Sequence, residues 1–263
     1  MAALKKPLAG TDIAHWIKNQ KTKLGRLPKR AFDTLYPPRC MICEVYTETP
    51  RGLCPTCWSD TVFISGAACG KCGMPLPGQG EDLLCDTCMT FPPVWHQGRA
   101  AITYQGSARR MILAFKHGDR LDLAPTMARW IQRSATDLLV RADIIAPVPL
   151  HRLRLLKRKY NQSAELSRIL AQLSNTKSIP DLLLRTRHTR SQDGLTMAER
   201  RENQQGAFVV SPRFITEIQG KSVLLVDDVM TTGATLSACA EVCLASGAKN
   251  VDVCVLARVE RDG

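Results

Sequence analysis

Aromatic residues are scarce in this 263-residue sequence and make up only 5% of it. Because extensive base stacking needs aromatic side chains, this scarcity disfavours a nucleic-acid site built mainly on stacking. The sequence also lacks an apolar run of the ~20 residues that a membrane-spanning helix requires. Its first twenty residues contain lysines but no apolar core of the kind found in a secretory signal. We therefore expect a cytoplasmic protein with no membrane span.

Positive charge is unevenly distributed along the chain, whose formal net charge is +12 at pH 7. Residues 1–39 carry +7, residues 40–92 carry −4, and residues 93–263 carry +9. Basic segments attract polyanions such as nucleic acids and phosphorylated small molecules. With the change in composition along the chain, this map predicts a basic N-terminal arm or helix over residues 1–35, a cysteine-rich module over residues 36–92, and a larger domain over residues 93–263.

Eight of the eleven cysteines form four Cys-x-x-Cys pairs. Two residues between two thiolates aim both sulfurs at one tetrahedral ion, and two such pairs complete a four-cysteine zinc site. We predict two structural zinc ions, held by Cys40, Cys43, Cys54, Cys57, Cys69, Cys72, Cys85 and Cys88. We expect pairing in sequence order, which gives a double zinc ribbon, although the spacing also allows an interleaved cross-brace. A disulfide framework would need a secretion route, which the sequence does not show.

From residue 95 onward, short apolar segments alternate with amphipathic ones, a pattern typical of an α/β protein with a doubly wound, mostly parallel sheet. The predicted strands are 99–104, 143–148, 182–187, 207–210, 223–226 and 251–257, and the predicted helices are 107–117, 121–140, 160–173 and 232–246. The other three cysteines, Cys239, Cys243 and Cys254, are expected to be small core residues. Ligands of such sheets bind beyond the carboxyl ends of the strands.

Two adjacent carboxylates, Asp227 and Asp228, follow the predicted strand 223–226 and precede a polar turn that contains glycine. Backbone N–H groups at the start of the next helix favour a bound phosphate, and Gly233 permits its close approach. The predicted phosphate-binding residues are Thr231, Thr232, Gly233, Ala234 and Thr235. Carboxylates would repel a phosphate that they faced, whereas a polyol or a metal ion suits them. A ribose 5-phosphate satisfies both requirements.

The segment VLLVDDVMTTGAT at residues 223–235 resembles the 5-phosphoribosyl 1-pyrophosphate (PRPP) signature of type I phosphoribosyltransferases. Over residues 35–260 the chain resembles the ComF family more specifically, in GLCPTCW of the cysteine-rich module, in FKHG, APVPL, KYNQ and LLLRTRHTRSQ, and in Arg200, Asn203 and the following GAF. This resemblance implies a phosphoribosyltransferase-like fold fused to a zinc ribbon, with PRPP bound together with Mg²⁺. It also implies a role in handling single-stranded DNA during natural transformation or in the use of external DNA. Such a role would bring the protein to a DNA-uptake machinery at the inner membrane.

Within this resemblance, Asp227 and Asp228 are expected to hold the ribose and, in a transferase, to be catalytic. Basic residues near the predicted strand ends are candidates to bind the pyrophosphate: Lys116, Arg152, Arg158, Lys159, Arg185 and Arg187. The family usually has Arg-Gly where this chain has Arg158-Lys159. The change removes a glycine from the expected pyrophosphate loop and adds a cation to it.

Two functions follow from these features. One is a PRPP- or nucleotide-binding protein that handles single-stranded DNA; the other is a phosphoribosyltransferase with an unidentified acceptor. No aromatic-rich insertion that could form a base pocket is visible, which favours binding. A transcriptional regulator is a third alternative, although no helix-turn-helix pattern is visible. We expect single-stranded DNA to contact the basic arm and the basic run 151–160, while the ribbon itself is the alternative contact surface.

Overall fold

The structure is a computed structural model that describes residues 37–80, 83–151, 155, 160–187 and 196–260. The basic arm over residues 1–35 lies outside the described residues, as do Arg152, Arg158 and Lys159. None of the helices within these ranges combines the length and the hydropathy that a bilayer-spanning helix needs.

The cysteine-rich module consists of two halves that repeat the same local structure. Each half contains a short antiparallel bridge around its first cysteine pair, Arg39 with Tyr46 and Ala68 with Pro75. A short helix follows in each half, α1 over Pro55–Ser59 and α2 over Asp86–Thr90. The N-cap residue of each helix is a cysteine with an extended backbone. The helix start therefore orients both sulfurs of the second Cys-x-x-Cys pair in each half.

A five-stranded sheet in which every pairing is parallel forms the centre of the larger domain, with strand order β1-β7-β6-β2-β3. Two further strands, β4 and β5, form a separate antiparallel pair. In chain order the strands are β1 Gly98–Thr103, β2 Ile144–Pro147, β3 Lys177–Ser178, β4 Leu183–Arg185, β5 Phe208–Val210, β6 Ser222–Met230 and β7 Asn250–Arg258. The apolar runs of β6 and β7 are buried, as expected for strands covered on both faces.

Helices cover both faces of this sheet. They are α3 Gly106–His117, α4 Ala124–Ser134, α5 Thr136–Arg141, α6 Gln162–Ser174, α7 Met197–Gln204 and α8 Ala234–Ala245. On one face, α4 packs against β1 and α6 packs against β2 and β6. On the other face, α8 packs against β6, β7 and β5. The predicted doubly wound α/β architecture is therefore confirmed.

Several predicted element bounds differ from the structure. The single helix predicted over residues 121–140 is a 3-10 turn, Leu121–Leu123, followed by α4 and α5, because Ala135 leaves the helical conformation between the two helices. Strand β6 does not end at residue 226 but continues to Met230, because it pairs with β7 as far as Arg258. Helix α7 and strand β3 have no counterpart among the predicted elements.

The ribbon joins the sheet along the edge strand β1. Phe63 bridges to Ile102, and the Ile64 N–H donates to the Ala101 carbonyl at 3.0 Å. The ribbon contributes little apolar burial of its own, since Tyr46, Trp58 and Met89 are each more than half exposed. Metal binding must therefore supply much of its folding free energy, on the order of 10 kcal/mol per structural site.

The three cysteines outside the ribbon are core residues, as predicted. Cys239, Cys243 and Cys254 are completely buried. Burial raises the pKa of each of these thiols, and that of Cys243 reaches about 12. A neutral, protonated thiol packs like a small apolar side chain, so none of the three is a candidate nucleophile.

Candidate functional site

The eight ribbon cysteines converge in two clusters, and the four sulfur atoms of each cluster lie within 4.8 Å of one another. The first cluster is Cys40, Cys43, Cys54 and Cys57, and the second cluster is Cys69, Cys72, Cys85 and Cys88. The sulfurs of Cys43 and Cys54 are 3.6 Å apart and those of Cys72 and Cys85 are 3.7 Å apart. A tetrahedron with Zn–S bonds of about 2.3 Å has edges of about 3.8 Å, so each cluster fits one structural zinc ion. The expected sequential pairing is confirmed, and the interleaved alternative is wrong.

Asp227 and Asp228 lie side by side near the carboxyl end of β6, next to the carboxyl end of β2. Asp227 Oδ1 accepts hydrogen bonds from Ser163 Oγ at 2.8 Å and from the Asp228 N–H at 2.9 Å. Asp228 Oδ1 lies 2.9 Å from Lys116 Nζ, and both side chains of this ion pair are largely buried. The described residues contribute no hydrogen bond to Oδ2 of either aspartate. One oxygen of each carboxylate therefore remains for a ligand.

Segments that are distant in sequence meet around this acidic pair. The Tyr160 hydroxyl donates to the Phe115 carbonyl at 2.5 Å, which joins the residues just before α6 to the end of α3. Asn161 Nδ2 donates to the Val148 carbonyl at 3.0 Å, while its Oδ1 caps α6 by accepting from the Ser163 N–H at 3.1 Å. These bonds fix the start of α6, which is why Ser163 reaches Asp227.

The environment of Asp227 makes it a weaker acid than an ordinary carboxyl group. Burial and the charge of the adjacent Asp228 raise the pKa of Asp227 to about 7, against the opposing effects of the Ser163 hydrogen bond and of Lys116. A carboxyl group with such a pKa exchanges its proton near neutral pH. A cation or a hydrogen-bond donor that approaches it would favour the ionised form.

The turn between β6 and α8, residues 231–233, lies in the segment predicted to bind phosphate, and we call it the ligand loop. Gly233 adopts the left-handed conformation with φ of 78° and is the N-cap of α8, a helix whose first N–H groups have no partner within the helix. Arg200 Nη1 donates to Thr231 Oγ1 at 3.0 Å, and Arg258 Nη1 donates to the Thr231 carbonyl at 2.5 Å. Two cations thus hold the loop at the positive end of the α8 dipole, where an anion is favoured.

Comparison with known proteins identifies both parts of the chain. Residues 31–89 match the double zinc ribbon domain and residues 164–262 match the phosphoribosyl transferase domain. The DNA utilization protein YhgH of Escherichia coli O157:H7 is 30% identical over 229 residues, which cover 84% of this chain and 97% of that protein. Competence protein F of Haemophilus influenzae is 30% identical over 226 residues, which cover 84% of this chain and 96% of that protein. The chain belongs to the ComF family.

The ComF chain is also similar to solved structures of phosphoribosyltransferase fold. One is the glutamine phosphoribosylpyrophosphate (PRPP) amidotransferase of B. subtilis, with 20% identity and a TM-score of 0.34. The similarity covers 57% of the ComF chain but only 28% of that structure. The phosphoribosyl transferase domain of the ComF chain is consistent with a role in binding PRPP.

The cations predicted to bind pyrophosphate in this ComF chain have different positions. Lys116 lies at the acidic pair, as described above. Arg185 lies over the Phe208 ring and donates to Gln204 Oε1 at 3.0 Å. Arg187 donates to the Asn203 and Gln205 carbonyls and so supports the end of α7. Of the predicted cations in the described part of the chain, the structure brings Lys116 alone into contact with the aspartates.

Sequence patterns did not predict the roles of three residues around the acidic pair and the turn of this ComF protein: Ser163, Arg200 and Arg258. Ser163 and Arg258 carry no local pattern that distinguishes them from other polar residues at the ends of elements, although an arginine that ends a buried strand is unusual enough to be noticed. Arg200 depends on α7, whose start is visible as the capping box Thr196-x-x-Glu199: the Thr196 N–H donates to Glu199 Oε2 at 2.7 Å.

Proposed function

We propose that the cleft at the carboxyl ends of β2 and β6 binds PRPP or a related phosphorylated ribose together with Mg²⁺. One observation carries this proposal: the two carboxylates and the left-handed turn lie on the single segment Asp227–Gly233. Its carboxylates suit the 2′- and 3′-hydroxyls of a ribose, and the N–H groups at the start of α8 suit its 5′-phosphate. A single ligand that offers both hydroxyls and an anion would use both parts of this segment.

The charges of the site support an anionic ligand with a divalent ion. Lys116 is paired with Asp228, and hydroxyl groups that bind the aspartates would leave Lys116 available to a pyrophosphate oxygen. Mg²⁺ prefers carboxylate oxygens, water and phosphate oxygens, so Oδ2 of Asp227 and Asp228 fits an ion that is shared with the ligand. When bound, the ion would neutralise charge on the pyrophosphate.

We further propose that this ComF protein handles single-stranded DNA in the cytoplasm. Relatives named competence protein F and DNA utilization protein support this role. The basic arm and the run 151–160, which carry +7 and +5, remain the proposed DNA contacts. Eight zinc-binding thiolates require reduced cysteines, which supports a cytoplasmic location. Contact with a DNA-uptake machinery at the inner membrane belongs to the same proposal.

Transfer of the phosphoribosyl group to an unidentified acceptor is the second candidate function. The observation that favours it is the raised pKa of Asp227, since a carboxylate that titrates near neutral pH can accept a proton from an acceptor. A transferase must release pyrophosphate from PRPP, whereas a binding protein need not. Pyrophosphate release in the presence of candidate acceptors therefore separates the two functions.

Calorimetry of the zinc-loaded protein tests the binding function. PRPP with Mg²⁺ and a single-stranded oligonucleotide are titrated separately and then in competition. We expect both to bind, and competition to report whether they share the cleft. Absence of PRPP binding would remove the ligand proposal, and absence of oligonucleotide binding would remove the DNA proposal.

The double variant Asp227→Asn/Asp228→Asn tests whether the two aspartates bind PRPP. Each charge-assisted hydrogen bond to a hydroxyl contributes roughly 1.5–3 kcal/mol, so PRPP binding should weaken by at least about 100-fold while circular dichroism stays unchanged. Asp137→Asn is the matched control, because Asp137 is a half-exposed carboxylate that pairs with Arg99 at the start of the edge strand β1. Equal PRPP affinity in the double variant and the control would refute the assignment.

A further inference from the structure

The two cysteine clusters differ in how closely they pack against the residues that flank the ligand loop. The sulfurs of the first cluster pack in a small group of their own, in which Cys40, Cys54 and Cys57 are the buried members. The cysteines of the second cluster belong to the same hydrophobic core as Met230 and Leu236, which flank the ligand loop. Only the second cluster is therefore in position to transmit a change in metal binding to the loop by direct packing.

Trp95 forms the first connection between the second cluster and the loop. Its Nε1 donates to the carbonyl of Lys71 at 2.6 Å, inside the first Cys-x-x-Cys pair of the second cluster. The other end of the same indole lies against Gly233: a Cβ built at Gly233 would lie 2.8 Å from Trp95 Cη2. Trp95 is also buried, with an exposed fraction of 3%. A movement of the Lys71 backbone therefore moves the surface that supports the turn of the loop.

Arg258 forms the second connection. Its Nη1 donates to the carbonyls of Met230 at 3.1 Å and of Thr231 at 2.5 Å. The same side chain is buried and lines a small cavity together with Cys72 and Cys88. Four thiolates and one Zn²⁺ have a formal charge of −2, so the zinc-loaded second cluster is a buried anion. The guanidinium of Arg258 balances that charge while it holds the loop carbonyls.

We propose that the second zinc site is energetically coupled to the ligand loop, with Trp95 and Arg258 as the positioning residues. Zinc at the second cluster fixes both residues and thereby orders the loop for its phosphate ligand. Because coupling between two sites is reciprocal, a ligand on the loop must also retain zinc in the second cluster. The ligand half of this inference rests on the proposed function, whereas the ordering of the loop by zinc does not.

Hydrogen exchange tests the ordering of the loop without any ligand. Cys85→Ser removes one sulfur from the second cluster, and Cys54→Ser is the matched change in the first cluster. We expect amides of residues 230–238 to exchange at least about fivefold faster in Cys85→Ser, while Cys54→Ser leaves them at the wild-type rate. Amides of α6 should be unchanged in both variants, which separates a local effect from unfolding. Equal exchange of residues 230–238 in the two variants would overturn the proposal.

Zinc release from the native protein tests the reciprocal effect and needs no variant. A chromogenic chelator should release the two zinc ions in two phases, and PRPP with Mg²⁺ should slow one phase by about fivefold or more. Cys54→Ser, which retains the second cluster alone, should show the slowed phase. If PRPP binds but slows neither phase, the coupling is absent. If the wild-type protein does not bind PRPP at all, the proposed function fails, and hydrogen exchange still decides the coupling.

Trp95→Ala tests the first connection. We expect it to weaken PRPP binding by about tenfold and to make the release of zinc insensitive to PRPP, a change that a merely structural role would not produce. Trp95→Phe lacks the Nε1–H that donates to the Lys71 carbonyl, so its zinc release should also be insensitive to PRPP, even though its aromatic ring should preserve part of the PRPP affinity. Trp58→Ala is the matched control, since Trp58 packs on Phe63 in the first half of the ribbon. Retained coupling in Trp95→Ala would remove Trp95 from the mechanism.

Discussion

Replacement of Gly233 by alanine tests whether contact with Trp95 fixes the turn of the ligand loop. Gly233 has a φ of 78°, and a Cβ there would lie 2.8 Å from Trp95 Cη2. The indole has little freedom to move, because it is buried and bonded to the Lys71 carbonyl. Gly220 is a matched control: its φ is 67°, and among the described residues nothing lies within 4 Å of its added Cβ.

The two variants separate backbone strain from steric overlap. A non-glycine residue in the left-handed region costs about 1–2 kcal/mol, and this cost applies to Gly220→Ala and Gly233→Ala alike. Overpacking of a buried site adds about 1–3 kcal/mol at Gly233 alone. The free energy of unfolding should therefore fall by roughly 2–5 kcal/mol in Gly233→Ala and by about 1–2 kcal/mol in Gly220→Ala. In a Trp95→Ala background the additional cost at Gly233 should disappear.

Urea unfolding of the zinc-loaded variants measures these differences, and calorimetry with PRPP measures the state of the loop. Gly233→Ala should lose PRPP affinity because the turn must change its shape, whereas Gly220→Ala should keep it. Equal destabilisation by the two substitutions, in both the wild-type and the Trp95→Ala backgrounds, would show that Trp95 does not support the turn.

Three further predictions concern metal, pH and DNA. The purified protein should contain two zinc ions per chain and Cys54→Ser only one; elemental analysis that finds no zinc would contradict this. The fold raises the pKa of Asp227 to about 7. The protonated Asp227 carboxyl therefore stabilises the fold fully below about pH 4, and this stabilisation is lost as the pH rises through about 7. Thermal unfolding of Asp227→Asn should occur at a higher temperature than that of the wild type near pH 8, but not near pH 4. Deletion of residues 1–30 should weaken single-stranded DNA binding and make its salt dependence shallower, by about 0.7 log units per lost phosphate contact; an unchanged slope would show that the arm is not a DNA contact.

Local patterns in the sequence were sufficient for the ribbon and for the class of the larger domain. The four Cys-x-x-Cys pairs predicted two zinc sites because a tetrahedral ion needs sulfurs that a two-residue spacing can supply. The alternation of apolar and amphipathic segments predicted a parallel sheet, because short apolar runs are typical of buried strands and amphipathic segments are typical of helices. The acidic pair and the glycine turn were recognisable for the same reason: they occupy one short segment, Asp227–Gly233, and need no partner from elsewhere to be noticed.

Long-range contacts decided what the local patterns could not contain. The continuation of β6 to Met230 depends on its pairing with β7. The predicted helix 121–140 is interrupted at Ala135, which leaves the helical conformation. Charge alone did not distinguish Lys116, which contacts Asp228, from Arg187, which supports α7.

Tertiary structure also created the connection between the second zinc cluster and the ligand loop. Trp95 contacts Gly233, which is distant in sequence, and Arg258 at the end of the neighbouring strand β7 donates to the Thr231 carbonyl. No periodic pattern in the sequence predicts either contact. The residues meet because separate segments pack together, and not because of the local conformation of either segment. The sequence therefore determined which chemical groups this protein carries, whereas the packing of the ribbon on the sheet determined which of them can act on one another.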